Sequence, residues 1–378
     1  MFMVIGMLGT GEEIRLYNDS IVVSFTGERK VLSNAPVNGG MRCDLSAVFN
    51  SCCSTGSGDF REAELKAPTY AEHNTILSLE LGLDPEKTAG MITAARMEKA
   101  SIKTTSYKDI VVTAVATGSL ETNGGRAGDL ASWDELACED VVQFGTINIM
   151  LFINVNLTDG ALARSLITCT EAKAAALQEL LAPSRYSRGI ATGSGTDSAI
   201  IVCNTDSVIL LTDAGNHVKL GECIGKAVTA AVKEALFLSS GLCPDSQHDI
   251  FERTSRFGIT PEALWEEYCE TLCKTDEDVS EKRKWFGDAV NDLKKRETLV
   301  TGTSLYVHLL DQIEWGLISP EEAKPYADLL LKEMGMAGFG SGEAGNSESG
   351  EDPIAYLSSE LSRGYLKLIN FYILGGIL

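Results

Sequence analysis

The stretch that decides the fold runs from Phe144 to Ser198 and reads FGTINIMLFINVNLTDGALARSLITCTEAKAAALQELLAPSRYSRGIATGSGTDS. Its segment 147–155 has the length and the β-branched and aromatic content of a buried strand. Thr158, Asp159 and Gly160 then predict the start of a long helix. A glycine turn follows, and a second apolar segment begins at Ala199. The stretch therefore predicts a strand, a helix, a turn and another strand in succession.

Lys173 is the unusual residue of the predicted helix because it lies in the apolar stripe. Residues three, four and seven positions apart share one face of a helix. The apolar members of the stripe are Leu162, Leu166, Cys169, Ala176 and Leu180. The opposite face carries Arg164, Thr168, Glu171 and Gln178. A buried ammonium needs a carboxylate partner, a route to water or a functional role, whereas a stem that snorkels past the apolar face is the simpler alternative.

The glycine turn at 191–198 reads ATGSGTDS. Gly193 and Gly195 flank Ser194, and glycines let the backbone turn tightly and present N–H groups to an anion or a developing oxyanion. A plain connection between two elements explains the same residues. The spacing alone favours the plain connection, because isolated glycine motifs have low specificity.

The composition of the 378-residue chain is that of a globular protein, with 44% hydrophobic and 22% charged residues. A net charge of -21 argues against binding to nucleic acid or to anionic membranes. Ten cysteines without a CxxC repeat indicate neither a disulfide scaffold nor a zinc ribbon. The opening residues MFMVIGML read as a strand and lack the features of a signal peptide. We therefore expect a cytoplasmic enzyme without membrane insertion.

The pattern along the chain predicts an α/β (α+β) fold in which helices pack on a layered mixed sheet. This catalytic domain is expected to span residues 1–240. From 241 to 337 the pattern is helical only, which predicts a helical extension. Residues 338–353 are rich in Gly, Ser and Glu and predict a flexible linker. The last segment, 354–378, predicts a helix whose short apolar end is typical of docking or of an interface between copies.

His217 is the most promising of four histidines for acid–base chemistry. It follows Asn216, a potential helix cap, and the positive end of a helix favours the neutral imidazole that can accept a proton. A capping or surface histidine is the alternative. The sequence has no GxSxG, HExxH, Walker or strand-linked GxGxxG motif, so it gives no support for a serine hydrolase, a zincin, a kinase or a dinucleotide-binding enzyme. The residues predict a site near Lys173, Asp197 and His217.

Several motifs, taken in order, resemble the adenosylcobinamide amidohydrolases over about residues 29–240. They read RKVLSNAPVNGG, AGMITAAR, VVTAVATGSLETNGGRAGD, GTINI, LTDGALARSLITCTEAKAAALQEL, ATGSGTDS and NHVKLGECIGKAV. The resemblance implies hydrolysis of the amide that joins aminopropanol to the corrin ring of adenosylcobinamide, which gives adenosylcobyric acid in cobamide salvage. It implies a small-molecule corrinoid as the partner. No cofactor is expected, and a metal requirement stays open.

A second resemblance concerns the amidases and aminopeptidases related to ornithine acetyltransferase. GMITAAR, VVTAV, GTINIMLFIN and GSGTD follow one another as in that family. The resemblance implies an αββα fold with a self-processing Ser or Thr nucleophile, which would place Thr93 near that nucleophile. Alanines stand at 94 and 95, where this sequence shows no self-cleavage signal.

Two mechanistic hypotheses follow for amide hydrolysis. In the first, His217 is the base, Lys173 and Asp197 orient water or the carbonyl, and the amides of residues 194–196 stabilise the oxyanion. In the second, Thr93 is the nucleophile. The residues expected to contact substrate are Asn148, Thr192, Gly193, Ser194, Gly195 and Thr196. Two alternative functions stay open: a non-catalytic corrinoid-binding protein and an amidase that acts on other substrates. A homo-oligomer is compatible with each function.

Overall fold

A computed structural model of the chain describes residues 2–55, 62–63, 65–131, 134, 136, 145–272, 279–336 and 352–374. The chain divides into two compact units, Met1–Cys243 and Pro244–Leu378. The expected linker 338–353 lies outside the described residues as far as position 351.

Two mixed sheets form the core of the first unit as far as the structure describes it. The strands of the first sheet are β1 (Met3–Met7), β2 (Glu13–Tyr17), β3 (Ser20–Ser24), β6 (Ala47–Cys52) and β9 (Thr88–Thr93). Those of the second are β4 (Arg29–Ser33), β5 (Gly40–Arg42), β10 (Ser101–Tyr107), β11 (Ile110–Gly118), β13 (Ile147–Ile153) and β16 (Ser198–Asn204). The order is β1-β2-β3-β6-β9 in the first sheet and β10-β11-β13-β16-β4-β5 in the second. Neighbouring strands in these sheets are antiparallel except for the parallel pairs β6/β9 and β13/β16.

Among the described residues, three short strand pairs accompany the two sheets, and the pair formed by residues 124–125 and 193–194 belongs to the site described below. The pairs are β7 (Ser54–Thr55) with β8 (Glu62–Ala63), β12 (Gly124–Gly125) with β15 (Gly193–Ser194), and β14 (Asn156–Leu157) with β17 (Leu210–Leu211).

Helices cover the outer faces of the two sheets. They are α1 (Tyr70–Glu80), α2 (Asp159–Glu179) and α3 (Lys219–Ser240). Leu77 of α1 packs on Phe49 and Ile92 of the first sheet. Leu162 of α2 and Ile224 of α3 belong to the core on the outer face of the second sheet. The layers are therefore helix, sheet, sheet and two helices, which confirms the predicted α+β class with layered mixed sheets.

Strand β13 contributes side chains to two hydrophobic cores. Its residues at 147, 149, 151 and 153 face the helices, whereas Met150 and Phe152 face the first sheet. Successive side chains of a strand point to opposite faces, so a strand buried on both sides is apolar throughout. The continuous apolar run predicted from the sequence is explained by this double burial.

The connection β13–α2–β16 is a parallel crossover. The stretch 144–198 predicted the two strands and the helix between them, but not that the strands pair in parallel. Thr158 caps α2 by accepting a hydrogen bond from the Ala161 N–H at 3.3 Å. Because the crossover helix runs back along the sheet, its second half lies over the beginnings of β13 and β16. This topology brings Lys173 of α2 close to the turn that precedes β16.

Two local expectations on α2 and α3 are corrected by the structure. Thr168 was expected on the solvent face, yet it is buried and its hydroxyl donates to the Ala214 carbonyl oxygen at 2.8 Å, because the segment before α3 covers that face. The residue that caps α3 is Val218 rather than Asn216, and no side chain bonds this end. The side chain of Asn216 instead donates to Glu171 at 3.0 Å.

The second unit consists of helices in the part of it that the structure describes. Their common core includes the buried rings of Tyr306 and Tyr365. The helices are α4 (Ile250–Thr254), α5 (Pro261–Leu272), α6 (Val279–Leu293), α7 (Glu297–Glu314), α8 (Pro320–Glu333) and α9 (Pro353–Ile373). Over the described residues, no helix combines the length and the apolar character required to cross a bilayer.

Candidate active site

A buried ion pair joins Lys173 of α2 to Asp197 of the glycine turn. The Lys173 Nζ donates to Asp197 Oδ2, and the two side chains are 11% and 13% exposed. Lys173 therefore has the carboxylate partner that its buried position requires.

Four hydrogen bonds converge on the Asp197 carboxylate. Besides Lys173, the donors are the Ile147 N–H at 2.9 Å, the Ser194 N–H at 3.0 Å and the Ser194 hydroxyl at 2.6 Å. A carboxylate offers about four lone-pair positions, so these donors fill it. Asp197 consequently fixes the turn and the ammonium, and the described residues leave two of the three Lys173 N–H groups available to a ligand.

Gly193 lies directly against this ion pair. A Cβ atom at position 193 would lie 2.3 Å from Asp197 Oδ2 and 2.6 Å from Lys173 Nζ. These distances are far shorter than any van der Waals contact, so both charged side chains would have to shift, and Asp197 is also held by Ile147 and Ser194. Close approach therefore favours glycine at this position.

The turn forms one wall of a pocket of about 670 Å³. Strand β15 of the turn pairs with β12 of an earlier glycine loop, with Gly125 opposite Gly193 and Gly124 opposite Ser194. The pocket lies over this two-stranded ladder and opens to solvent. Its lining residues are Asn123, Gly125, Arg126, Ala127, Asp129, Leu130, Ala131, Thr170, Lys173, Ala174, Tyr186, Thr192, Gly193, Ser194, Gly195 and Thr196.

Hydrogen bonds hold the walls of the pocket together around Gly145. The Tyr186 hydroxyl donates to Asn123 Oδ1 at 2.8 Å, and Asn123 Nδ2 donates to the Gly145 carbonyl oxygen at 2.9 Å. The Thr196 hydroxyl donates to the same oxygen at 2.8 Å. Gly145 has a φ of +132°, a conformation that favours glycine. Three separate segments thus meet at one backbone position.

Asp129 orders the opposite wall. Its Oδ2 accepts hydrogen bonds from the Arg126 N–H at 2.7 Å and the Ser184 hydroxyl at 2.6 Å. Burial raises the pKa of this carboxyl, but the hydrogen bonds from Ser184, Ser187 and the Arg126 backbone outweigh burial and hold the pKa below its usual value. Asp129 is therefore a fixed anion that shapes the loop from which Arg126 projects.

The structure narrows the predicted oxyanion donors to one amide. The Ser194 N–H already donates to Asp197, and the Thr196 N–H donates to the Ser194 hydroxyl at 3.3 Å. Among the described residues, none accepts from the Gly195 N–H. Gly195 is exposed on the pocket wall, so its amide and the Lys173 ammonium are the available donors on this side. Thr192 also lines the pocket, but its hydroxyl accepts from the Ala127 N–H at 2.9 Å.

Asn148, which was expected to contact substrate, is fully buried between the two sheets. Its Nδ2 donates to Asn50 Oδ1 at 2.9 Å and to the Ile92 carbonyl oxygen at 3.1 Å. Its Oδ1 accepts from Thr146 at 3.2 Å, and the same hydroxyl donates to the Thr196 carbonyl oxygen at 2.7 Å. The side chain is thus inaccessible to a ligand in the pocket and connects the glycine turn to the first sheet.

Thr93 and His217 lie outside the pocket lining. Thr93 is buried at the end of β9, and its hydroxyl accepts from the Ala95 N–H at 3.0 Å. His217 is exposed before α3. Its neighbour Asn216 bonds Glu171, which lies two positions from Lys173 on α2 and hence about 200° around the helix. The structure brings Lys173 and Asp197 together with the turn, but not with His217 or Thr93.

The sequence reasoning missed the second wall of the pocket, which Asn123, Arg126, Asp129 and Tyr186 form. The signal that could have revealed it is the pair of glycine-rich segments at 124–125 and 193–195. Neither segment has a periodic pattern, so their pairing is visible only once the crossover fixes their positions.

Comparison with known proteins shows which family the chain resembles. The family described as adenosylcobinamide amidohydrolase matches residues 7–244. The chain belongs to this family. An uncharacterized protein of Methanocaldococcus jannaschii is 32% identical over 229 residues, which cover 57% of this chain and 85% of the relative. The family match ends within one residue of the division between the two units, so the amidohydrolase family signature resides in the first unit.

Proposed function

We propose that the chain hydrolyses the amide bond between aminopropanol and the corrin ring of adenosylcobinamide and releases adenosylcobyric acid. The observation that carries the proposal is the buried Lys173–Asp197 pair, which opens into a pocket within the segment that matches the family. Family membership supports an amidohydrolase, and a buried ammonium facing a pocket is a suitable group for polarising an amide carbonyl.

The size of the pocket suits the scissile arm of such a substrate. Its volume of about 670 Å³ falls inside the range of roughly 300–1,000 Å³ that small-molecule sites occupy. The corrin ring is much larger than the aminopropanol arm, so the arm enters the pocket and the ring lies at its mouth. Leu130, which lines the pocket and is 89% exposed, offers apolar surface to the ring.

The chemistry is a direct addition of water to the amide carbon. Lys173 Nζ and the Gly195 N–H donate to the carbonyl oxygen and stabilise the negative charge that develops on it. The attacking water loses its protons, the departing nitrogen gains them, and collapse of the tetrahedral intermediate breaks the C–N bond. The products at neutral pH are therefore a carboxylate and the protonated amine. Asp197 keeps the ammonium in place throughout. His217 and Thr93 receive no step in this proposal because they do not line the pocket.

The test is incubation of the purified protein with adenosylcobinamide, followed by mass spectrometry of aminopropanol and adenosylcobyric acid. In water labelled with ¹⁸O we expect one labelled oxygen in the new carboxylate. A corrinoid-induced rise in melting temperature without release would instead indicate the non-catalytic binding protein. Hydrolysis of simple amides without corrinoid binding would indicate an amidase for other substrates.

A further inference from the structure

Two cations line the pocket, Lys173 and Arg126. A carboxylate lies beside each, because Asp197 pairs with Lys173 and Asp129 accepts from the Arg126 backbone N–H. Asp129 also accepts from Ser184, and Asp197 also accepts from Ile147 and Ser194. Both carboxylates are therefore occupied by protein donors, whereas both cations keep N–H groups that the described residues do not engage.

Arg126 is fixed in place but has donors to spare. Its Nη1 donates to the Ile190 carbonyl oxygen at 3.3 Å, and its backbone N–H binds Asp129. A Cβ atom at Gly189 would lie 2.7 Å from Arg126 Cδ, so the side chain rests directly on this glycine. A guanidinium has five N–H groups, and the described residues engage one of them. The others are available for a planar anion.

The two cations line the same pocket, one on each side of the short strand ladder. Gly125 lies opposite Gly193 in the β12/β15 pair, and directly opposed residues have Cα atoms roughly 4.5–5.5 Å apart. Lys173 Nζ lies 2.6 Å from the point where a Cβ atom at position 193 would be, and Arg126 is the residue after Gly125. The backbone positions next to the two charges are thus opposite each other in one ladder.

We propose that Arg126 and Lys173 form a carboxylate-binding subsite that holds the corrinoid carboxylate produced by hydrolysis. This inference rests on the proposed function. The substrate amide is neutral, whereas the product carries a full negative charge at the same carbon. Arginine recognises a carboxylate through two parallel N–H groups, and hydrogen bonds between charged groups are about twice as strong as neutral ones. The subsite accordingly binds the product more tightly than an uncharged analogue, and the product inhibits turnover.

The test compares two ligands that differ only at this carbon. Adenosylcobyric acid carries the carboxylate, and the same corrinoid with a primary amide is its neutral counterpart. Isothermal titration in the cold measures both dissociation constants, and mass spectrometry after each titration verifies that the amide is intact. We expect the wild-type protein to prefer the acid by about tenfold or more, since an ionic hydrogen bond replaces a neutral one.

Substitutions of Arg126 test whether this residue causes the preference for the acid over the amide. Arg126→Gln is expected to lose most of the preference while still binding the amide, and Arg126→Lys to retain part of it. Arg185→Gln is the matched control, because Arg185 is exposed in the facing loop and does not line the pocket, and it should keep the wild-type preference. Should Arg126→Gln fail to fold, the salt dependence of the wild-type preference replaces it, and we expect the preference to fall as salt rises.

The outcomes separate this inference from the proposed function. Equal affinities for acid and amide in the wild-type protein would overturn the subsite and leave the proposed hydrolysis standing. A preference that survives in Arg126→Gln, or that salt does not reduce, would also overturn it. Binding of neither corrinoid, together with the absence of aminopropanol release, would overturn the proposed function itself.

Discussion

Lys173 carries its charge in a helical stripe that is otherwise apolar, and this misfit was visible in the sequence. The partner was not assigned, because Asp197 lies 24 positions away and comes close only through the crossover. The local turn chemistry was only partly predictable. The glycines at 193 and 195 suggested that the amides of residues 194–196 are exposed. Two of these three amides are already engaged, because the Ser194 N–H donates to Asp197 and the Thr196 N–H donates to the Ser194 hydroxyl.

The close approach of Gly193 to the ion pair can be tested by substitution. The Gly193→Ala variant is expected to disrupt the ion pair, because its Cβ would overlap with both charged atoms. We expect a loss of about 1–3 kcal/mol in the free energy of unfolding, the usual cost of overpacking, together with loss of turnover. Urea denaturation measures the stability. Gly195→Ala is the control for stability, since the nearest atom to its Cβ is 3.5 Å away, and an equal loss in both variants would contradict this explanation.

At the scale of elements, long periodic segments were predicted well and short connections were not. Strand β13 and helix α2 follow from an apolar run and an apolar stripe, both of which are local patterns. The ladder of β12 with β15 consists largely of glycine and contains four residues, so it has no pattern of its own. Asn148 was placed on the correct strand but assigned to the substrate, because the sequence did not show that the first sheet covers this face of β13.

Asn148 ties the two sheets together, and removing its side chain should weaken that connection. In Asn148→Ala, the buried Asn50 Oδ1 loses the hydrogen bond from Asn148, whereas the Thr146 hydroxyl keeps the Thr196 carbonyl oxygen as its acceptor. An unsatisfied buried group costs about 1–3 kcal/mol, so we expect at least this loss in urea denaturation. Asn216→Ala removes an exposed hydrogen bond and should change stability by about 0.5 kcal/mol or less. Similar effects of the two substitutions would show that the inter-sheet bonds contribute little.

The loop held by Asp129 should have a characteristic dependence on pH. The pKa of Asp129 is lowered by folding, so its contribution to stability is complete above the unfolded pKa of about 3.9 and is lost as pH falls through the folded value. We therefore expect the difference in unfolding free energy between wild-type and Asp129→Asn to be constant near neutral pH and to shrink below about pH 4. Denaturation at several pH values measures it, and a difference that grows towards acid pH would have the wrong sign.

At the scale of the whole molecule, the family match and the first unit coincide. The match covers residues 7–244 and the unit covers Met1–Cys243, whereas the helices from Ile250 onward lie outside the match. The change to a purely helical pattern was apparent in the sequence because helical periodicity is local. The function of the helical unit was not apparent from the sequence, since helical folds serve many unrelated functions.

This division predicts that residues 1–243 fold and hydrolyse adenosylcobinamide without the second unit. The first unit has its own cores on both faces of its sheets, and every described residue of the pocket belongs to it. Circular dichroism and thermal unfolding test the fold, and the release assay tests the activity. A folded fragment without turnover would show that the helical unit contributes to the reaction.

The proposed role of Lys173 in polarising the scissile amide can be measured by single-turnover hydrolysis of adenosylcobinamide with Lys173→Met. We expect the rate to fall about a hundredfold or more, as when one oxyanion donor is removed, while the melting temperature shows that the variant is folded. His217→Ala, measured in parallel, is expected to keep the wild-type rate because His217 is exposed outside the pocket. A folded Lys173→Met variant with wild-type turnover would contradict the account, and a large loss in His217→Ala alone would return the role of base to that histidine.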